Sequence, residues 1–259
     1  MHASRTSPAS PDAQGTPPDQ LLAAATALVP LLAEQAEEGE RQRRISDITA
    51  KALRDAGMFR LGTPARFGGH SAGVRRCMEV TAELARGDGS ASWIAMVFTG
   101  TSLIAGLMDR HAQIEVWDRD PDAAVAGALT PGGSSRDVGY GVAVSGRWRF
   151  VSGVDHAQWA ILAVAAAAPD HPPQIVLVPL AELTVEDTWH VAGMRGTGSN
   201  TVVADDVFVP ARRMALSGFA TGTPTLPESQ APSDAWPLGG VLAVVLLGPL
   251  LGVAEAALA

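Results

Sequence analysis

The residues best suited to chemistry fall in the run Gly146-Arg147-Trp148-Arg149-Phe150-Val151-Ser152-Gly153-Val154-Asp155-His156-Ala157-Gln158-Trp159. In an extended chain alternate side chains share a face, so Trp148, Phe150 and Ser152 are predicted on one side and Arg147, Arg149 and Val151 on the other. A flat ring can lie beside the first face and take a hydrogen bond from the Ser152 hydroxyl. The same pattern also describes an ordinary strand. A second stretch, Gly193-Met194-Arg195-Gly196-Thr197-Gly198-Ser199-Asn200, lacks the dinucleotide spacing of glycines and is not followed by a helical pattern. Between two strands its glycines would let backbone N–H groups approach a ligand and Arg195 meet an anion, or would simply make a tight hairpin. Gly69-His70-Ser71-Ala72-Gly73 matches the nucleophile elbow of serine hydrolases, but an elbow needs a strand running into it. Thr63-Pro64-Ala65-Arg66-Phe67-Gly68 reads as a loop, so hydrolase chemistry is not expected. The histidines at 2, 70, 111, 156, 171 and 190 show no metal-ligand spacing, and no metal is expected.

These residues need a scaffold, and 259 residues with 47% hydrophobic side chains allow one or two domains with a substantial core. Nineteen basic residues against 27 acidic ones give a net charge of −8, and the basic residues are scattered, which argues against nucleic acid as a ligand. Cys77 is the only cysteine, so no internal disulfide is available and a cytoplasmic location is expected. Lys51 is the only lysine and lies in a helical stretch, which makes Schiff-base chemistry improbable.

From 21 to 120 the pattern is helical. Leu21, Leu28 and Leu32 recur at helical spacing, and Ile45, Ile48, Ala52 and Leu53 fall on one face of a helix capped by Ser46 or Asp47 and stopped at Gly57. Further helices are predicted over 74–86 and 90–108, with a short one ending at Trp117. From 121 to 215 short runs rich in Val and Ile alternate with turns: 124–130, 141–145, 147–152, 159–166, 174–179, 184–189 and 201–209. They predict an antiparallel β-barrel or sandwich, and helices followed by strands give an α+β protein. Residues 1–20 read as a disordered tail and 216–237 as a linker. Leu238 to Ala254 is an uncharged run that as one helix reaches only about 26 Å, short of the roughly 30 Å hydrocarbon core. It reads as the first helix of an incomplete C-terminal helical domain at 238–259, with no partner left in the chain, and not as a membrane span.

Taken in order, the helices, Pro64…Phe67-Gly68-Gly69, the Gly-x-Trp-x-Phe-x-Ser-Gly strand, Met194-Arg195-Gly196-Thr197-Gly198-Ser199 and Asp205-Asp206-Val207-Phe208-Val209-Pro210 resemble the acyl-CoA dehydrogenase superfamily. Ser152 to Trp159 is most similar to its branch of monooxygenases that use reduced flavin from a separate reductase. The resemblance implies a flavin, FAD or FMN, in the 121–215 domain. Phe150 would lie near the isoalloxazine, Ser152 and Gly153 close to its reactive nitrogen, and Thr130 and Pro131 along the ring. Arg195, Thr197, Gly198 and Ser199 would lie near the flavin or a neighbouring subunit. Trp93 matches a position bordering the substrate, and Thr101 stands where that branch often has a substrate-contacting His.

The implied activity is transfer of an oxygen atom from dioxygen to a small organic substrate, with Ser152 as the catalytic residue. The alternatives are an FAD-dependent acyl-CoA dehydrogenase and a non-catalytic remnant or assembly subunit. The dehydrogenase signature is only partly matched by Thr130 to Asp137, which lacks its Glu, and Val241 stands at one position of the family's catalytic base. A homo-oligomer is expected where the C-terminal bundle is supplied.

Overall fold

The structure, a computed structural model, describes residues 18–165, 173–216 and 238–258. Most of the stretches read as a tail and as a linker therefore lie outside the described residues. Five helices come first: α1 (Pro18–Gln42), α2 (Asp47–Asp55), α3 (Val74–Ala85), α4 (Gly89–Gly106) and α5 (Arg110–Trp117). Ser46 caps α2 by accepting the Thr49 N–H, and Gly57 follows in a left-handed conformation at φ 75°. Ile45 and Leu53 are buried as expected, but Ile48 is 57% exposed. The reason is that Ile45 precedes the cap, so helical spacing counted from it points to the wrong side; the buried face is Thr49, Ala50 and Leu53. α4 is buried nearly all round, and its inward hydroxyls bond to backbone, as Thr99 does to Ala95 O at 2.7 Å. Cys77 is buried in α3, and burial pushes its thiol up to about 12, leaving it inert.

Strands β1 (Val125–Asp137), β2 (Gly141–Val151), β3 (Trp159–Val164), β4 (Gln174–Pro179), β5 (Thr184–Glu186), β6 (Asn200–Pro210) and β7 (Met214–Leu216) follow. Their order in one sheet is β5-β6-β2-β1-β3-β4-β7. The barrel expected from the run of short strands does not close, because β5 and β7 form opposite edges and do not pair. Both edges are three-residue strands, too short to template further pairing. The sheet is not purely antiparallel either. β2 lies on one side of β1, and the turn at Val154–His156 returns the chain to the other side, where β3 runs parallel to β1 with Val125 opposite Trp159.

The apolar C-terminal run is two helices, α6 (Leu238–Val245) and α7 (Leu247–Leu258). The segment Gly239–Leu258 is long and apolar enough to cross a membrane, by length and composition, and exceeds the sequence expectation in this respect. It also has the partner that the sequence reading denied it. Gly248, Pro249 and Gly252 are buried, and a Cβ at Gly252 would fall inside the van der Waals shell of the Ala82 carbonyl on α3. Val241 and Val245 of α6 join the main core, while Leu247, Leu250, Leu251 and Val253 remain exposed.

Candidate active site

Two irregularities face each other in the middle of the sheet. β1 leaves its pairing with β3 between Ala128 and Gly133, and β2 slips against β6 between Trp148 and Val151. Each inserts extra residues that bend the strand away from its neighbour. Beside them opens a cavity of about 480 Å³. α4 contributes Trp93 and Val97, the β1 irregularity contributes Gly127 to Gly132, and β2 contributes Arg147 to Phe150 with Ser152 just beyond its end.

The β2 slip overturns the simple alternation. Trp148 is 1% exposed and Phe150 60%, so these two residues do not share an environment. The cause is the backbone of Phe150, which is left-handed at φ 63°, a conformation costing a bulky residue about 1–3 kcal/mol. The reversal swings Phe150 out against Trp189, edge to face at 6.0 Å, with the Arg149 guanidinium 5.1 Å from its ring centre. Trp148 turns inward, donates to Ala163 O at 2.6 Å and lies over Gly132 and Gly133, where a Cβ would strike its indole. The glycines of β1 are therefore the floor on which this tryptophan rests.

Ser152 is buried, and its hydroxyl has two partners in the protein, which leaves one lone pair or its hydrogen to the cavity. Trp93 Nε1–H donates to Ser152 Oγ at 3.2 Å, Ser152 and Ser199 hydroxyls meet at 2.7 Å, and Ser199 meets Thr197 Oγ1 at 2.7 Å. Gly153, at φ 72°, donates its N–H to Thr197 O at 2.8 Å and packs against Phe98, where no side chain fits. The Val154–His156 turn that follows is tied down by His156, whose Nε2 lies 3.0 Å from Ile45 O; burial, the dominant influence, holds that ring below its ordinary pKa and neutral.

Of the residues singled out in the sequence, Trp93, Thr130, Pro131, Phe150 and Ser152 line the cavity. Ser199, Thr197 and Gly153 stand behind Ser152 as its support. Gly198 is left-handed at φ 53°, where a Cβ would strike the Asp155 carboxylate, and Arg195 has a buried Nε without a partner. Thr101 does not reach the cavity. The single hydrogen of its hydroxyl is shared between the Val97 and Val125 carbonyls, and its methyl backs Gly127 from behind. Ser71 is likewise occupied, accepting the Ala65 N–H at 2.8 Å in a loop between a 3-10 turn and α3. Val97, Leu129, Arg147 and Arg149 line the cavity without having been singled out as site residues. Val97 comes from helix α4, and the strand irregularities that bring Leu129 and Arg149 to the cavity are invisible in the sequence pattern.

Residues 22–118 match the family described as Acyl-CoA dehydrogenase, N-terminal domain. The structure of the HsaA monooxygenase from M. tuberculosis superposes with a TM-score of 0.84 at 33% identity, covering 93% of this chain and 67% of that one. The chain belongs to the acyl-CoA dehydrogenase family. Within it, similarity runs to flavin-dependent monooxygenases: the oxygenase subunit HsaA of Rhodococcus jostii is 35% identical over 237 residues, 89% of this chain and 62% of its own length. The structure of XiaF from Streptomyces sp. in complex with FADH2 and glycerol gives a TM-score of 0.85 at 33% identity, covering 93% of this chain and 62% of that chain. The FADH(2)-dependent resorcinol hydroxylase of Rhizobium sp. is 34% identical, over 81% of this chain and 53% of its own. The chain thus spans a little over half to about two thirds of these relatives.

Proposed function

We propose that this chain forms the flavin and substrate cavity of the oxygenase component of a flavin-dependent monooxygenase. The observation that carries the reading is the cavity between the two bulges, with an outward-turned Phe150 at its rim and a buried, hydrogen-bonded Ser152 hydroxyl in its wall. About 480 Å³ lies in the ordinary range for small-molecule sites, roughly 300–1,000 Å³. Its walls suit a planar ring: aromatic and apolar faces from Trp93, Val97 and Leu129, and few polar atoms to fix orientation. The residues present fit FAD or FMN.

A reduced flavin bound with dioxygen supplies the transfer of one oxygen atom to an organic substrate. The chain's own residues do the rest. Phe150, held at the cavity rim by its left-handed backbone, would cover one side of the ring. Thr130 and Pro131 would border the ring, and Ser152 would hold a hydrogen bond at its reactive nitrogen. Trp93, anchored by its N–H on Ser152, borders the substrate, and Val97 and Leu129 keep water out. Among the described residues no carboxylate lines the cavity, and Val241, at one position of the dehydrogenase base, is buried in the core, which favours the monooxygenase reading. The relatives named as oxygenase subunit or component support a separate flavin reductase as partner; a cytoplasmic location and a homo-oligomer completed by a C-terminal helical bundle belong to the same proposal.

The test supplies the protein with NADH, a flavin reductase, FAD or FMN and a panel of phenols and indoles under ¹⁸O-labelled dioxygen. Product carrying one labelled oxygen is expected. NADH consumption that ends only in hydrogen peroxide across the panel would overturn the oxygenase reading. In Ser152→Ala the peroxide released per flavin oxidised is expected to rise; an unchanged yield removes Ser152 from that role.

A further inference from the structure

Behind Ser152 the hydroxyl accounting leaves one freedom. A serine oxygen has one hydrogen and two lone pairs, and an indole N–H only donates. Trp93 therefore always occupies one lone pair of Ser152. The remaining lone pair and the hydrogen must be divided between Ser199 and the cavity, since Ser152 both meets Ser199 and lines the cavity. Two arrangements satisfy every hydroxyl. In the first, Thr197 donates to Met194 O at 2.9 Å, Ser199 donates to Thr197, Ser152 donates to Ser199, and Ser152 shows the cavity a lone pair. In the second the three hydroxyls rotate together: Thr197 donates to Ser199, Ser199 to Ser152, and Ser152 donates into the cavity. Reversal leaves nothing orphaned at its far end, because Met194 O keeps the Thr197 N–H at 3.1 Å and the Trp189 Nε1–H at 3.2 Å. No hydrogen leaves its oxygen in the change.

We propose that Thr197 and Ser199 are positioning residues of a reversible hydroxyl relay that lets Ser152 bond a flavin in either redox state. The reactive ring nitrogen of a reduced flavin carries a hydrogen and needs an acceptor; that of the oxidised flavin is bare and needs a donor. The first arrangement serves the reduced ring and the second the oxidised one. All three hydroxyls are buried, so an arrangement with a dangling hydrogen is penalised. The proposal rests on the flavin reading of the cavity.

Removing either positioning hydroxyl should penalise one redox state only. With Ser199→Ala or Thr197→Val the second arrangement survives, Ser152 still donating to the bare nitrogen. The first then leaves a buried hydroxyl without an acceptor. Anaerobic titrations of the wild type and each variant with oxidised and dithionite-reduced FMN give the ratio of the two dissociation constants. In both variants reduced FMN is expected to weaken about tenfold relative to oxidised FMN. Thr197→Ser keeps the hydroxyl and is expected to keep the wild-type ratio. Equal weakening of both forms, or an unchanged ratio, overturns the relay while leaving the flavin site standing. A wild type that binds neither form overturns the flavin reading itself, and the relay with it.

Discussion

Glycine builds both the α3–α7 contact and the β1–β2 cavity wall, to opposite ends. Between the helices, Gly248 and Gly252 remove side chains so that α7 can settle onto Thr81 and Ala82 with no gap. In the sheet, Gly132 and Gly133 make room for the Trp148 ring while the strand irregularities beside them keep a cavity open. One site converts the missing Cβ into close packing and the other into a shaped void. Stability should therefore respond mainly to the first and binding mainly to the second.

The largest expected effect comes from filling the helix contact. Gly252→Val drives its side chain into α3 backbone, and overpacking of this kind costs about 3 kcal/mol, a fall in Tm of roughly 8 °C by thermal denaturation. Flavin affinity is expected to hold in the same variant at low temperature; a large loss there would mean that the two regions are one unit.

A smaller effect is expected at Asp88, the N-cap of α4, whose side chain accepts the Ser90 N–H. Burial is the dominant influence and raises its carboxyl from 3.8 to about 6. The folded chain then keeps a proton that the unfolded chain has lost across that window. Stability falls as pH rises from about 4 to 6 and stays lower above it. Asp88→Asn keeps a capping acceptor without the charge, so its stability relative to the wild type should rise through that window, by on the order of 1 kcal/mol at neutral pH. A difference independent of pH would contradict the assignment.

Phe150→Gly separates stability from binding most sharply. Relief of the left-handed backbone should raise stability by about 1 kcal/mol, while loss of the ring cover should weaken FMN about tenfold. A fall in both quantities would show that Phe150 is simply part of the packing. Least of all is expected from Leu250→Gln, at a side chain 59% exposed on the outer face of α7, where Tm should stay within about 1 °C.

What could be read from the chain beforehand was whatever depends on neighbours in sequence. The Ser46 cap, the Gly57 stop, α3, α4, β3 and β4 all announce themselves through local periodicity and turn residues. The family-like motifs also point to Trp93, Thr130, Pro131, Phe150 and Ser152, which line one cavity. The bulges were not legible, because the alternation of Trp148, Phe150 and Ser152 looks regular and nothing in it signals a left-handed phenylalanine. Closure of the sheet was misjudged for a similar reason, since edge pairing is a long-range property that short strands do not encode. The pairing of Ser152 with Ser199 joins residues 47 apart and leaves no local trace. The partner of α7 did have a signal: glycines four apart, at 248 and 252, mark one helix face able to approach another backbone closely.

The central claim is that a flavin ring lies between Phe150 and Ser152, and a crystal structure of the protein with reduced FMN tests it most directly. The ring is expected in the bulge cavity with its reactive nitrogen within hydrogen-bonding distance of Ser152 Oγ. Saturating FMN found elsewhere on the chain, with that cavity holding only water, would contradict it.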